Sequence, residues 1–514
     1  MDRRRFLAAG MGVLAGSWTA GCGGGGGSPG APVTPVPPTQ GVSDAELATL
    51  AAQMQGRLIL PADADFGTLR PGANARYDGA VPRALARCAG GADVAAAFAF
   101  ARSKGMSFAL RSGSHSYVGA STSDGGLLID TGTMDSVRMD GTVAVVGAGA
   151  KLADVYRAVL GAGRILPSGS CVTVGVTGIT LGGGVGYFDR SMGLACDALI
   201  GATVITADGQ TRVCDATQNT ELFWGLRGGG GGQFGIVTEL RFQTQPMGAL
   251  SGSIAYFTAA DLPALLAAWQ SWPATLPEWA WSQLAIASDT KGDLAITLIG
   301  IALATNAQFK PWWDGLLAAS GRTPQNQFSA DMTGESLLLA NCGTLSNAAC
   351  HLPTQVVGGV LPRVAMVASS DFYHQTLPAA GIQALTDAMV ARSKAGRPGA
   401  ALLDLMGGAI ARVAPDATAF PHRNALFGAQ YVVENRLGTA DEATLHADGL
   451  WAQSMRDTMK PWTSGGAYVN YANADAALPA SAYFGGNVTR LRALKASIDP
   501  AGVFKSPRGP VSLG

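Results

Sequence analysis

Apolar residues follow two different rhythms along the chain, and the change falls near residue 248. Before it, short apolar runs alternate with helical patterns, which is typical of strands and helices that follow one another in turn. We predict strands over residues 107–110, 127–129, 143–146, 202–206 and 211–213, and helices over residues 94–102 and 152–160. The pair Asp208-Gly209 between the last two strands is typical of a tight hairpin turn.

After residue 248 the amphipathic segments are longer. Residues 262–272 and 379–393 have the period of helices with one apolar face, and residues 294–303 and 429–433 are candidate strands. Four tryptophans near this point could stack on a sugar ring, but core packing is expected for most of them: Trp269, Trp272, Trp279 and Trp281. The change of texture predicts a cofactor-binding half followed by a second domain.

Length and charge narrow the class of protein. The chain has 514 residues, with 36 basic and 36 acidic side chains, and 47% of its residues are hydrophobic. A chain of this length accommodates more than one domain and a substantial buried core. The balanced charge gives no electrostatic footprint for nucleic acid, so we expect no nucleic-acid partner. The composition favours a globular enzyme.

Residues 1–40 are predicted to be a targeting segment and a Gly/Pro-rich tether. The run from Arg3 to Leu7 has the twin-arginine pattern, and the apolar stretch after it is too short and too rich in glycine for a transmembrane helix. The next residues, Thr19-Ala20-Gly21-Cys22, resemble a bacterial lipobox. We expect a bacterial protein exported by the twin-arginine route to the periplasm or surface. It is either lipid-anchored through Cys22, its only membrane contact, or released by plain cleavage of the signal.

Six of the seven cysteines lie after Cys22. In an oxidising compartment Cys342 and Cys350 could pair across a short loop, which makes them the candidate disulfide. No CxxC motif and no His/Cys spacing suggests a metal site, so we expect no metal. Twin-arginine export typically carries proteins that have already folded around a cofactor, which directs attention to organic cofactors.

Two glycine-rich segments predict a surface on which a ligand lies against the backbone. Residues 230–235 satisfy GxGxxG, but a dinucleotide fingerprint follows a strand and opens a helix. Here a strand-like run begins at Ile236, so we exclude a Rossmann domain. Glycines of this kind allow backbone amides to approach a pyrophosphate or a ring in another fold. The second segment, residues 167–187, contains the single cysteine Cys171.

A loop with the sequence RSGSHS, residues 111–116, precedes the Cys171 segment. In this order the two motifs resemble those of the berberine bridge enzyme-like flavoproteins, within the vanillyl-alcohol oxidase superfamily. Further matches follow along the chain: LFWGLRGGGGGQFGIVT at 222–238, FPHR at 420–423, AYVNY at 467–471 and YFGGN at 483–487. One departure is Ser114, which stands where the family usually has glycine.

The resemblance implies FAD held by two covalent bonds, from His115 to the 8α-methyl group of the flavin and from Cys171 to its C6. A buried structural cysteine is the alternative for Cys171. The other residues that the resemblance assigns to the cofactor are Arg111, Ser112, Gly113, Ser114, Ser116, Gly169, Val174, Gly175, Gly178, Gly182, Gly183, Gly184, Gly235, Ile236, Val237, Asn470 and Asn487.

The fold implied by the resemblance is α+β. A two-lobed PCMH-type FAD-binding domain, residues 41–247, is interrupted by a substrate domain, residues 248–455, in which an antiparallel sheet is backed by helices. Residues 456–514 are expected to return to the FAD domain. The active site is then expected between the two domains.

The resemblance also implies an oxidoreductase that acts on a small molecule. Alkaloid-type members carry a catalytic glutamate just before the position of Phe420, where this chain has Arg412, so we expect a tyrosine base and a secondary alcohol or sugar C–OH as substrate. Tyr468 is the expected base and Tyr471 the fallback, on opposite faces of a strand. Arg412 is the candidate cation that stabilises the phenolate. A tyrosine packed under the flavin is the alternative for Tyr468.

Val174 stands where family members place a side chain beside the flavin C4a. A valine there tends to admit O₂ and a bulkier residue tends to block it, so we expect an oxidase that produces hydrogen peroxide, although strand packing would also explain a valine. Two alternatives remain open. One is a flavin dehydrogenase with a non-oxygen acceptor, and the other is a non-catalytic surface-anchored binding protein on the same scaffold, for which damaged flavin anchors would be expected.

Overall fold

The computed structural model describes residues 41–342, 346, 348–436, 438–505, 508–509 and 511–513. The predicted signal, lipobox and tether in residues 1–40 lie outside the described residues.

The strands are β1 (Arg57–Ile59), β2 (Ala84–Arg87), β3 (Phe108–Arg111), β4 (Leu127–Asp130), β5 (Val137–Asp140), β6 (Val143–Gly147), β7 (Arg164–Ile165), β8 (Leu199–Ile205), β9 (Thr211–Asp215), β10 (Ile236–Gln243), β11 (Gln245–Pro246), β12 (Leu250–Phe257), β13 (Ala280–Ser288), β14 (Leu294–Ala302), β15 (Asn326–Met332), β16 (Val364–Tyr373), β17 (Gly399–Leu405) and β18 (Phe427–Arg436).

The α-helices are α1 (Asp44–Ala51), α2 (Phe66–Leu69), α3 (Gly91–Ser103), α4 (Leu152–Gly161), α5 (Val176–Leu181), α6 (Asp189–Met192), α7 (Ala195–Ala198), α8 (Thr220–Leu226), α9 (Leu262–Ser271), α10 (Asn306–Ser320), α11 (Gly334–Cys342), α12 (Ala379–Lys394), α13 (Glu442–Met459), α14 (Ala480–Phe484) and α15 (Val488–Ile498). The helices and strands predicted up to residue 433 are all present, with ends that shift by a few residues.

The first lobe is built on a four-stranded sheet in the order β1-β2-β4-β3, in which β4 pairs in parallel with both of its neighbours. All four residues of β4 are buried, which is why its sequence is a continuous apolar run that ends in Asp130. Helices α1 and α3 cover the sheet and share its core through Leu50 and Phe98.

The second lobe is a five-stranded antiparallel sheet in the order β5-β6-β10-β8-β9. Strand β10 begins at Ile236, directly after the glycine cluster at 228–232. This confirms that the GxGxxG motif leads into a strand and not into a helix.

The substrate domain contains a seven-stranded antiparallel sheet in the order β15-β12-β14-β13-β17-β18-β16. Helices α9, α10, α12 and α13 pack on one face, where Trp269 and Trp313 are fully buried. Burial alternates along β17, so that Ala401, Leu403 and Leu405 join the helix-side core while Asp404 points the other way. The predicted antiparallel sheet backed by helices is confirmed.

The C-terminal segment packs on the first half of the chain. Phe484 of α14 and Leu491 of α15 share a core with Trp224 and Phe234. We call residues 41–247 together with residues 460–513 the cofactor half. Helix α13 runs to Met459 because Met455 and Met459 both enter the core of the substrate domain, so the predicted boundary after residue 455 falls inside a helix.

Cys342 and Cys350 form a disulfide, as the spacing allowed. No helix in the described part of the chain combines the length and the apolar character needed to cross a membrane.

Candidate active site

A cavity of about 820 Å³ lies between the cofactor half and the substrate domain. On one side it is bounded by backbone segments that we call the loop wall, residues 111–118, 169–175, 177–179, 231–233 and 235–237. On the other side lies the sheet wall, whose members come from β13, β16, β17 and β18: Trp281, Gln283, Val364, Met366, Leu402, Asp404, Gln430, Val432 and Glu434. Residues 468–472 lie at the junction of the two walls.

Two segments of the loop wall touch through glycines. A Cβ atom on Gly113 would lie 2.0 Å from the backbone nitrogen of Gly175, and one on Gly175 would lie 2.3 Å from the nitrogen of Gly113. Only glycine permits this contact, so both residues fix the distance between the His115 loop and the Cys171 segment. Between them, Ser114 has a φ of 64°, the left-handed conformation that explains why glycine is usual at this position.

The backbone of the loop wall offers hydrogen-bond donors to a ligand. Among the residues that the structure describes, none of the N–H groups of residues 113–118 donates to a protein acceptor. Unpaired amides at a cavity surface are the usual device for binding phosphate oxygens. Gly178 and Gly231 also line the cavity, and a Cβ atom on either would meet nothing within 4 Å. A loop wall of this kind fits a dinucleotide such as FAD.

Thr173 joins the two predicted flavin anchors. Its Oγ1 lies 2.9 Å from Nε2 of His115 and 3.4 Å from Sγ of Cys171, which is exposed to the cavity. Burial lowers the pKa of His115 to about 4, so its imidazole is neutral near pH 7 and can serve as a nucleophile. Burial raises the pKa of the Cys171 thiol, and the Thr173 hydroxyl acts in the opposite direction.

Thr173 was not predicted from the sequence, because the resemblance assigned no role to the residue at this position. The side chains of three predicted cofactor residues are used by the protein itself. The Arg111 guanidinium donates to the carbonyls of Leu69 and Arg70, the Ser112 hydroxyl donates to the carbonyl of Ala148, and the Ser116 hydroxyl accepts from the Ala120 amide. The contribution of these residues to the cavity is therefore mainly their backbone.

The other predicted cofactor residues divide into two groups. The following members line the cavity: Gly169, Val174, Gly175, Gly178, Gly235, Ile236, Val237 and Asn470. Gly182, Gly183 and Gly184 do not line it. A Cβ atom on Gly182 would lie 2.2 Å from Oδ1 of Asn470, and one on Gly183 would lie 3.4 Å from the Tyr468 ring. A Cβ atom on Gly184 would lie 2.3 Å from Cβ of Ala195, so these three glycines allow close protein packing behind the cavity, and their assignment to the cofactor stays a prediction.

Tyr468, at the junction of the two walls, is buried and its hydroxyl group accepts three hydrogen bonds. Its ring is 3% exposed, and its hydroxyl oxygen accepts hydrogen bonds from the amide of Gly184 at 2.8 Å, from Nδ2 of Asn470 at 2.9 Å and from the amide of Val185 at 3.4 Å. Burial raises the pKa of Tyr468 to about 12, and the three donors oppose this effect because they stabilise the phenolate.

Tyr471 lies beside Tyr468, with 4.9 Å between the ring centroids. The predicted strand alternation is wrong, because Val469–Tyr471 forms a 3-10 turn and both tyrosines line the same cavity. Burial and the negative charge of Asp404 raise the pKa of Tyr471 well above its usual value.

Arg412 and Asn487 are placed away from the cavity. Arg412 is exposed at the end of a 3-10 turn and forms an ion pair with Glu278, so the prediction that it stabilises the phenolate is wrong. Asn487 is buried, and its Nδ2 donates to the carbonyls of Pro415 and Thr418. It fixes the loop before Phe420 and does not contact the cavity, which corrects its assignment to the cofactor.

The polar residues of the sheet wall were missed by the sequence analysis. Gln283 donates from Nε2 to Oδ1 of Asp404 at 2.8 Å, and Gln430 donates to the hydroxyl of Tyr117 at 2.9 Å. Burial raises the pKa of Asp404 to about 6 and that of Glu434 to about 7. The available signal was a carboxylate or carboxamide inside an otherwise apolar strand pattern. Of the four tryptophans, Trp281 lines the cavity, whereas Trp269 and Trp272 belong to the helix-side core.

Comparison with known proteins agrees with this geometry. A model of the FAD binding domain family matches residues 82–215, and a model described as "Berberine and berberine like" matches residues 467–509. Glucooligosaccharide oxidase of Sarocladium strictum is 30% identical over 449 residues, covering 82% of this chain and 86% of that protein. Chitooligosaccharide oxidase of Gibberella zeae is 29% identical over 83% of this chain and 87% of that protein.

Among solved structures, wild-type BBE-like 1 of Physcomitrella patens superimposes with a TM-score of 0.81 and 27% identity. The alignment covers 91% of this chain and 99% of that one.

Proposed function

We propose that this chain, which belongs to the berberine bridge enzyme-like family of FAD-linked oxidoreductases, is an oxidase. It removes a hydride from a secondary alcohol or sugar C–OH and reduces O₂ to hydrogen peroxide. The observation that carries the proposal is one cavity in which two potential flavin anchors face a buried, hydrogen-bonded tyrosine and a polar sheet wall. The sugar oxidases among the relatives support a C–OH substrate.

The loop wall is proposed to hold FAD, which supplies the hydride acceptor when bound. Amides 113–118 would meet the phosphate oxygens, and His115 and Cys171 would form the two covalent bonds. Both anchors are present and open to the same cavity, which supports the flavoenzyme and disfavours a non-catalytic binding protein.

Tyr468 is proposed to take the proton of the substrate hydroxyl. A carbinol carbon can lose a hydride only if its hydroxyl proton leaves in the same transition state or before it. The amides of Gly184 and Val185 and the side chain of Asn470 would stabilise the resulting charge, in place of the cation expected from the sequence. Since burial raises the pKa of Tyr468 to about 12, the rate of oxidation should increase with pH on the alkaline side. Tyr471, next to Asp404, is the alternative base.

The bicovalent link can be tested on the purified protein. After acid precipitation, the yellow colour should stay with the protein pellet, and the variants His115→Ala and Cys171→Ala should each retain flavin through the remaining anchor. A wild-type pellet that loses all its colour would exclude covalent attachment without excluding an FAD enzyme.

The reaction can be tested by screening alcohols and sugars for bleaching of the flavin under nitrogen, followed by admission of air. An oxidase should recover its colour rapidly and release peroxide. Reoxidation no faster than that of free flavin would indicate a dehydrogenase with another acceptor.

We also propose that the protein is exported by the twin-arginine route. The disulfide between Cys342 and Cys350 supports an oxidising compartment. Fractionation of cells that express a variant with both Arg3→Lys and Arg4→Lys would test this proposal, because loss of the arginine pair should leave the protein inside the cell.

A further inference from the structure

The sheet wall contains a carboxylate that the protein leaves without a partner. Glu434 lies on β18 in the alternating series Gln430, Val432, Glu434, whose side chains all line the cavity. Its neighbour across the strand pair, Met366 of β16, is apolar. In the described part of the chain, no hydrogen bond or ion pair joins the Glu434 carboxylate to another side chain or to the backbone.

The carboxylate of Asp404 and the carboxamide of Gln430 are paired, whereas Nε1 of Trp281 and Oε1 of Gln283 have no partner among the described residues. Asp404 accepts from Gln283, and Gln430 donates to Tyr117. Of the two carboxylates of the sheet wall, Glu434 is the one without a hydrogen bond or ion pair in the described part of the chain, and burial is the only cause that raises its pKa to about 7. Glu434 is half-buried at the cavity surface, where a carboxylate without a protein partner is available to a ligand that completes it.

Among the residues that the structure describes, no cation forms an ion pair with Glu434. The basic residues that line the described cavity are Arg111, His115, Lys495 and Lys505, and all belong to the cofactor half. The titratable groups that feel the charge of Glu434 are Cys171 and Tyr117, and both become negative when they ionise.

We propose that the substrate is cationic, an amino alcohol or amino sugar whose ammonium group pairs with Glu434. This inference rests on the proposed oxidation of a C–OH group and names the class of molecule that carries it. The ammonium group donates hydrogen bonds to the carboxylate, and no covalent or redox step is required of Glu434. A neutral sugar would leave the carboxylate unpaired or force it to take up a proton.

The interaction has a pH dependence of known sign. Since the pKa of Glu434 is raised to about 7, the carboxylate is mostly ionised above this pH and mostly protonated below it. An ammonium group should therefore bind better as the pH rises through about 7, provided that the amine itself keeps its proton.

The test compares two six-membered cyclic alcohols that differ in one ring atom. The probes are 4-hydroxypiperidine, which is cationic, and tetrahydropyran-4-ol, in which an ether oxygen replaces the ammonium group. Titration calorimetry on the flavin-loaded wild-type protein at about pH 8 should show roughly 10- to 100-fold tighter binding of the cation, the usual worth of a hydrogen bond to a charged group. At about pH 5.5 the preference should shrink.

The Glu434→Gln variant should lose the preference at both pH values, and Glu434→Asp should keep part of it. Glu335→Gln removes an exposed carboxylate far from the cavity lining and serves as the matched control, with an unchanged preference. Equal binding of the two probes by the wild type at alkaline pH, or a preference that survives in Glu434→Gln, would overturn the inference. The titration is done under nitrogen and its readout is the difference in binding between the two probes, so failure here leaves the oxidase test by flavin bleaching and peroxide release independent.

Discussion

The two walls of the cavity are built in different ways. The loop wall presents backbone: glycines 113 and 175 in contact, and a run of unpaired amides in residues 113–118. The sheet wall presents side chains that alternate along strands, such as Asp404 on β17 and Glu434 on β18. A backbone surface can bind only what suits its fixed geometry, whereas a strand face can change its chemistry one side chain at a time.

The proposed binding of cofactor and of substrate therefore depends on different parts of the chain, backbone for the cofactor and side chains for the substrate. The invariant ligand, a dinucleotide, meets the wall whose donors are fixed by main-chain geometry. The variable ligand, the substrate, meets the wall whose groups can be exchanged. Substitutions at the junction of the walls should thus affect the chemical step, those on the sheet wall should affect selectivity, and those in the loop wall should affect the cofactor.

The largest effect is expected at the junction. Tyr468→Phe removes the proposed base and should slow flavin reduction by roughly 10²–10⁴-fold, the usual contribution of general-base catalysis. The flavin should remain attached, because His115 and Cys171 are unchanged. Stopped-flow reduction under nitrogen measures the effect, and Tyr256→Phe on β12, away from the cavity lining, is the matched control. Near-normal reduction in Tyr468→Phe would transfer the role to Tyr471.

The next effect is expected on the sheet wall. Asp404→Asn replaces a carboxylate that faces the cavity and accepts from Gln283, and it should raise KM by roughly 10- to 100-fold, as expected when a hydrogen bond to a charged group is lost. Burial raises the pKa of Asp404 to about 6, so the wild-type KM should also rise as the pH falls through this value. A KM that stays constant in the variant and across this pH range would separate Asp404 from substrate binding.

A smaller effect is expected from the loop wall at Val174. Val174→Leu should slow reoxidation by O₂ roughly tenfold, which corresponds to about 1.4 kcal/mol on the barrier, while reduction by substrate stays near normal. The two half-reactions are measured separately by rapid mixing, first without and then with oxygen. An unchanged reoxidation rate would mean that Val174 has only a packing role.

The smallest effect is expected at Arg412. Because this residue is exposed and pairs with Glu278 outside the cavity, Arg412→Ala should change kcat/KM by less than roughly twofold and stability by no more than about 0.5 kcal/mol. Steady-state kinetics and thermal unfolding measure both quantities. A large loss of kcat/KM with unchanged KM would restore a catalytic role for Arg412.

The loop wall was largely predictable from the sequence, and the sheet wall was not. Local motifs such as RSGSHS and the Cys171 segment are continuous in sequence. The close contact between Gly113 and Gly175 explains why each motif has a glycine at that position. The arrangement of helices and strands was also predictable, because β4 and α3 have clear apolar patterns. These features depend on neighbours along the chain.

The remaining errors have a common physical origin. Asp404 and Gln283 meet only because β17 pairs with β13 across more than a hundred residues, and no local pattern carries that register. Residues 468–471 were predicted to form a strand with alternating faces. The structure has a 3-10 turn at Val469–Tyr471, and so short a segment carries no pattern that separates the two. Arg412 and Asn487 were assigned by position in a motif, although tertiary contacts direct one to Glu278 and the other to a loop carbonyl.

The alternation of β17 has a consequence for how this scaffold can diversify. Its helix-facing residues, Ala401, Leu403 and Leu405, are part of the hydrophobic core of the domain. The residues between them, Leu402 and Asp404, line the cavity and are not part of that core. The cavity-facing residues can therefore be substituted while the helix-facing residues keep the core packed. A combinatorial library restricted to the cavity-facing positions of β17 and β18 (402, 404, 430, 432 and 434) should therefore vary selectivity while the core residues stay unchanged.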